Sequence, residues 1–121
     1  MVVNVPRSDQ VKIVDYCGLV SGRDEDKFSV AGLTPAKGQQ LAHAPLVAEC
    51  PVNLECRIKD RITLGSHDLF IGEIVGVHVD EEALDERGRL DVARLDPLAY
   101  VAGQYWKLGE RLGLQGLARH K

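Results

Sequence analysis

No apolar run approaching twenty residues occurs in this sequence, and no charge of one sign dominates it. The first absence excludes a membrane-spanning helix, which needs roughly 20 consecutive apolar residues. The second removes the electrostatic reason to expect a nucleic-acid partner: 15 basic residues against 18 acidic ones leave a net charge of −3. Val2–Pro6 is too short for the apolar core of a secretion signal, and no cleavage site follows it. The expected location is the cytoplasm. The phosphate-cradling G-x-x-x-x-G-K, the dinucleotide G-x-G-x-x-G, the zinc-binding H-E-x-x-H and the nucleophile elbow G-x-S-x-G are all missing. Cysteine is scarce. Cys17, Cys50 and Cys56 are odd in number and form no C-x-x-C pair, which reads as three reduced, mostly buried thiols; nothing supports a Cys50–Cys56 disulfide. Asp24 and Asp26 have the spacing of a calcium loop, but Phe28 stands where the next oxygen ligand belongs and the loop glycine is absent.

What is present centres on Leu54–Val79. On its first half the even positions Leu54, Cys56, Ile58, Ile62 and Leu64 are apolar, while the odd positions Asn53, Glu55, Arg57, Lys59 and Arg61 are polar. That period of two predicts a strand with one buried face. Leu69–Val79 is apolar on both alternations, as in a strand lying inside a sheet or barrel. Gly65-Ser66 between them predicts a two-residue hairpin turn with glycine first. Gly72 and Gly76, read by alternation, fall on one side, where a bend or close backbone approach would use them. Two strands of about a dozen residues, roughly 40 Å if straight, usually curl in a domain this small, which favours a barrel.

Around this hairpin, Val2, Val3 and Val5 predict a short strand closed by Pro6. Ser8 is a candidate N-cap for a helix from Asp9, which Gly18 ends or weakens. A helical turn is expected over Asp24–Ala31, with acids at its positive end. Thr34–Pro45 reads as a turn-rich connector, and Leu46–Cys50 as a short apolar run entering the sheet. Asp80–Glu86 reads as a solvated face, Arg87-Gly88-Arg89 as a turn, and Tyr105, Trp106 and Leu108 as an aromatic patch before a glycine-punctuated tail. The 121 residues show no internal boundary and are expected to form one domain.

Two side chains could carry chemistry. His67 directly follows the hairpin turn, where an imidazole could meet a planar ligand; taken alone it is equally a surface-loop histidine. Lys27, between acids and Phe28, could meet a phosphate or an electron-rich ring edge; alone it is a helix-surface lysine. Tyr100, Tyr105 and Trp106 suit a core or interface, and His78 a satisfied core histidine. His43 and His120 suggest nothing.

Several stretches in order resemble the flavin reductase-like family of FMN-binding split barrels, in its flavoredoxin and ferric-reductase-like branch. They are Val2–Pro6, Asp15–Asp24, Asp26–Phe28, Ala31–Thr34, Glu49–Cys56, Gly65–Glu73, Leu95–Leu98 and the Gly-x-Tyr-x-x-Leu-Gly run over Gly103–Gly109. The resemblance implies a mainly β fold, a Greek-key split barrel with short helices, of which this chain matches the C-terminal part and lacks the N-terminal strands. It implies FMN as cofactor near the interface of a homodimer, with NAD(P)H or a redox partner protein as electron source. It places flavin contacts at Lys27 (phosphate or reduced ring), His67 (hydrogen bond or packing) and Tyr100 (aromatic wall), with Ser21 and Phe28 behind them. The expected function is an NAD(P)H:flavin oxidoreductase or flavoredoxin-like electron carrier. The alternative is a non-catalytic, shortened split barrel acting as a dimerisation module. Haem in the cleft is a third reading, with no axial-ligand pattern behind it.

Overall fold

The computed structural model describes residues 1–119; His120 lies outside them. The fold is mainly β with short helices, as expected. β1 (Val2–Val5) leads through a 3-10 turn at Ser8–Gln10 into α1 (Val11–Leu19), followed by α2 (Lys27–Ala31), β2 (Pro35–Ala36) and β3 (Leu46–Val47). The long strands β4 (Val52–Thr63) and β5 (Asp68–Val79) come next, then α3 (Val92–Leu95), β6 (Leu98–Val101) and β7 (Gln104–Lys107). The main sheet is antiparallel in the order β1-β4-β5, while β2-β3 and β6-β7 form separate two-stranded ladders. Leu46–Val47 therefore pairs with Pro35–Ala36 and does not enter the main sheet.

The hairpin turn follows its chemistry. Gly65 has φ +80°, open to glycine at little cost, and the Leu64 amide closes the turn onto the His67 carbonyl at 2.9 Å. β5 is the edge of this three-stranded sheet, so its two-sided apolarity needs another cause. The register supplies it. Leu54 pairs with Val77 and Cys56 with Ile74, leaving Val75 as an extra residue; Ile58 pairs with Gly72 and Asp60 with Ile71, leaving Lys59 extra on the other strand. At the first bulge, apolar odd residues (Val79, Val77) and even residues (Ile74, Gly72) of β5 come to share a side. Gly72 and Gly76 thus face opposite ways, contrary to simple alternation. A Cβ on Gly72 would lie 2.9 Å from the Met1 side chain, whereas one on Gly76 would lie 2.6 Å from the Glu55 carboxylate.

Local departures from expectation have local reasons. Ser8 does not cap α1. Its hydroxyl donates to Asp96 at 2.5 Å and its amide to the Asp96 carbonyl at 2.8 Å, tying the start of the helical segment to the end of α3. α1 runs through Gly18 to Leu19. α2 is shorter than predicted because Asp26 is its N-cap, accepting from the Phe28 amide at 3.2 Å. The segment after Val79 is only partly solvated: Ala83 is buried and packs with Val52 and Leu95 in a small core joined by Val5, Leu54 and Val79. Tyr100 to Tyr105 is a hairpin that the sequence did not announce, with Ala102 and Gly103 both at positive φ. All three cysteines are free, with Cys50 and Cys56 buried; burial pushes the Cys50 thiol pKa up.

Two glycine substitutions separate these effects. Gly76→Ala drives a methyl against Glu55 and is expected to cost about 1–3 kcal/mol. Gly18→Ala, in a helix with nothing within 4 Å of the new atom, is expected to stabilise by up to about 1 kcal/mol. Urea denaturation of the two variants beside the parent checks both signs.

Candidate functional site

Asn53 and Glu55 occupy the polar alternation of β4, yet both are buried, and Glu55 is 0% exposed. The connector over residues 37–50 covers them and their side chains hold it down. The Asn53 carboxamide accepts from the Val47 amide at 3.0 Å and from the Asn4 side chain at 2.6 Å, and donates to the Val47 and Cys50 carbonyls at 3.1 and 3.3 Å. The Glu55 carboxylate accepts from the amides of Gln39, Gln40 and Leu41 at 3.2, 3.0 and 3.0 Å, and from His78 Nε2 at 2.7 Å. Three amides can only donate, which favours the ionised carboxylate, and an ionised Glu55 accepts from Nε2–H as well. The bond from His78, followed by those from the loop amides, outweighs desolvation and lowers the Glu55 pKa from 4.5 to about 2. Gly38 and Gly76 leave the room that this carboxylate fills. The sequence pattern marked His78 as a satisfied histidine but gave no sign of its partner.

The residues proposed from the sequence lie elsewhere. Lys27 is half-buried at the start of α2 and donates to the Cys17 carbonyl near the end of α1 at 2.6 Å. That bond uses one of three ammonium donors, leaving two for a ligand. Lys27 also lines an open concavity of about 480 Å³ formed by Gly22–Lys27. Tyr100 is 62% exposed on β6, its ring centroid 5.2 Å from that of Tyr105. The Tyr105 hydroxyl donates to Asp15 of α1 at 2.9 Å, which raises the pKa of the phenol. Lys27 and Tyr100 therefore both connect to α1. Phe28 is half-buried on α2, and Ser21 is exposed, its hydroxyl accepting from the Arg23 amide at 3.1 Å. His67 is exposed at the hairpin tip, its Nδ1 2.8 Å from the Ser66 hydroxyl. The tip lies roughly 40 Å of strand from the end of the sheet where Val5 pairs with Val52. No hydrogen bond or ring contact among the described residues joins His67 to Lys27 or Tyr100. A cation, an imidazole and an aromatic wall are a donor set that fits the phosphate, edge and face of a flavin; one copy of the chain shows no contact that assembles them.

The architecture is that of a flavin reductase-type split barrel. The chain belongs to the flavin reductase like domain family, which matches residues 1–109. It is similar to the structure of flavoredoxin from Desulfovibrio vulgaris, with 38% identity and a TM-score of 0.86 over 98% of this chain and 63% of that one. It is also similar to flavoredoxin from Methanosarcina acetivorans, with 36% identity and a TM-score of 0.85 over 95% of this chain and 61% of that one. An uncharacterized protein of Archaeoglobus fulgidus is 35% identical over 75% of this chain and 50% of its own length. The chain thus spans between half and two thirds of the length of these relatives.

Glu55 sets an acid limit. A carboxyl whose pKa is depressed in the fold contributes stability that is fully present above its ordinary value of 4.5 and is lost as pH falls through about 2. Thermal melts of the parent are expected to fall across that window. Glu55→Gln is expected to melt lower at neutral pH and to show a flatter acid dependence; a parallel acid slope in the variant would assign the loss to other carboxylates.

Proposed function

We propose that this chain forms part of an FMN-binding flavoprotein, an NAD(P)H:flavin oxidoreductase or a flavoredoxin-like electron carrier. The observation that carries this reading is the likeness to flavoredoxin, which extends over 98% of the chain; Lys27, His67 and Tyr100 fall within the residues 1–109 that match the family. When bound, the flavin supplies the hydride and electron chemistry; the protein contributes binding, orientation and electrostatics. In this reading the two free donors of Lys27 meet the phosphate or the reduced ring, His67 meets the ring edge, and Tyr100 forms a wall. Reduced nicotinamide or a redox protein delivers electrons. The free thiols suit a cytoplasmic location, and no helix among the described residues is long and apolar enough to cross a membrane.

The reading includes a homodimer. The chain exposes 9479 Å², against roughly 6,500 Å² for a compact monomer of its mass. Ile58, Ile62, Leu69, Phe70, Ile71 and Ile74 on the long hairpin are each at least 41% exposed. Surface of this kind calls for a partner, and pairing two copies offers a way to bring a hairpin tip to the α1 region of the other. The second reading, a non-catalytic dimerisation module, draws on the same uncovered hairpin together with the separation of His67 from Lys27 and Tyr100.

The visible spectrum of the purified chain, recorded after adding FMN and removing the excess, decides between them. A retained two-banded flavin spectrum is expected, with Lys27→Ala, His67→Ala and Tyr100→Ala each weakening retention by about 5–10-fold, the loss of one polar or stacking contact. A colourless dimer would favour the module. Retention equal to the parent in all three variants would sink the site assignment.

A further inference from the structure

We infer that the loop between β2 and β3 is a binding site for a small organic anion, with Glu55 as the positioning residue that gives the loop its shape. The limbs Pro35–Gly38 and Leu41–Pro45 border an open concavity of about 220 Å³. The apex joining them, Gln39 to Leu41, is the stretch whose three amides point at the Glu55 carboxylate. The two limbs thus curl around a point fixed from beneath by one buried side chain. At the loop's base, Pro35 pairs with Val47 and Ala36 with Leu46.

The lining states the ligand class. It is mostly proline, alanine and leucine, and its two ionisable residues are Lys37 on one limb and His43 on the other. Both residues are exposed. No carboxylate lines it, in a chain with more acidic than basic residues. The concavity over Gly22–Lys27 differs: it sets Asp24, Glu25 and Asp26 against Arg23 and Lys27. Glu55 lies under the apex, fully buried, its oxygens occupied by four donors, so it shapes the site without presenting its charge there. A volume below the roughly 300–1,000 Å³ of drug-sized pockets, apolar walls, a lysine cation on one limb and an imidazole on the other suit a short-chain carboxylate. None of Lys27, His67 and Tyr100 lines this loop, so the site is independent of the proposed flavin contacts.

Sodium isobutyrate titrated into the ¹⁵N-labelled chain tests this, with sodium chloride as the ionic-strength control. Saturable shifts are expected at the amides of Lys37, Gly38 and Leu41–Ala44, and not with chloride. Lys37→Gln should weaken binding by about three- to five-fold, the worth of one exposed charge contact, and Lys37→Gln with His43→Gln should abolish saturation. Shifts that never saturate, or a double variant that binds like the parent, would overturn the site. Glu55→Gln reads the positioning role: amide exchange at Gln40 and Leu41 should accelerate and isobutyrate affinity fall, with Lys37 and His43 untouched. If that variant does not fold, Glu55→Asp, one methylene shorter, replaces it. Parent-like affinity in a variant that has lost protection at Gln40 and Leu41 would overturn the role of Glu55.

Discussion

A single ionised carboxylate with no access to solvent organises one side of this molecule. Burying a charge is unfavourable unless polar groups replace water around it. Glu55 meets that condition with three backbone amides and one imidazole. The donors come from two places: the amides belong to a loop 14–16 residues earlier, the imidazole to the neighbouring strand 23 residues later. The carboxylate therefore fixes the tertiary position of an otherwise irregular connector. Two residues away, Asn53 does the same for its other end by exchanging hydrogen bonds with Val47 and Cys50 as a strand would. Glu49 adds a third tie, accepting from both the amide and the hydroxyl of Thr34 at 2.8 Å, and these bonds, the amide's first, lower its pKa.

On the opposite side the sheet is held by shape. Val52, Ala83 and Leu95 form a small apolar centre, and Met1 lies over Gly72 while its amine and carbonyl bond to the backbone of Cys56. Beyond Cys56 the hairpin continues without cover. Four of its surface charges are paired locally, Lys59 with Glu73 at 3.4 Å and Arg61 with Asp68 at 2.9 Å. Such exposed pairs are worth little individually. The apolar side chains between them, and the aromatic hairpin β6-β7, leave a broad apolar surface exposed.

The legible parts of the sequence were those whose signal is local. A period of two and a Gly-first turn located both long strands and the turn between them, and Val2–Val5 was legible as a strand from its run of β-branched residues closed by Pro6. The polar alternation Asn53, Glu55, Arg57 was legible as a polar face, but alternation cannot say that a connector lies on it. That connector has no periodicity of its own, so the buried pair went unseen. The bulges were invisible because an extra residue leaves no mark except a strand apolar on both alternations, which reads equally well as a buried central strand. β6-β7 was missed because its strands are four residues long and Ala102 is an unusual residue at positive φ. Among site residues, Lys27 was legible as a lysine on a short helix, but its bond to the Cys17 carbonyl was not, because it depends on how α1 and α2 pack. The spatial relation of Lys27, His67 and Tyr100 was not, since it depends on where α1 and the hairpin tip lie.

The two bulges also bear on which changes of length the hairpin can absorb. Side chains on paired strands follow a frame of two residues, and losing one residue from most positions within β4 or β5 would turn everything beyond it to the wrong side. Val75 and Lys59 are exceptions, because each is already surplus to the pairing. Losing either would convert a bulge into regular ladder while leaving the facing of the remaining pairs unchanged. The hairpin thus holds two positions at which its length could drift by a residue without rewriting its surfaces.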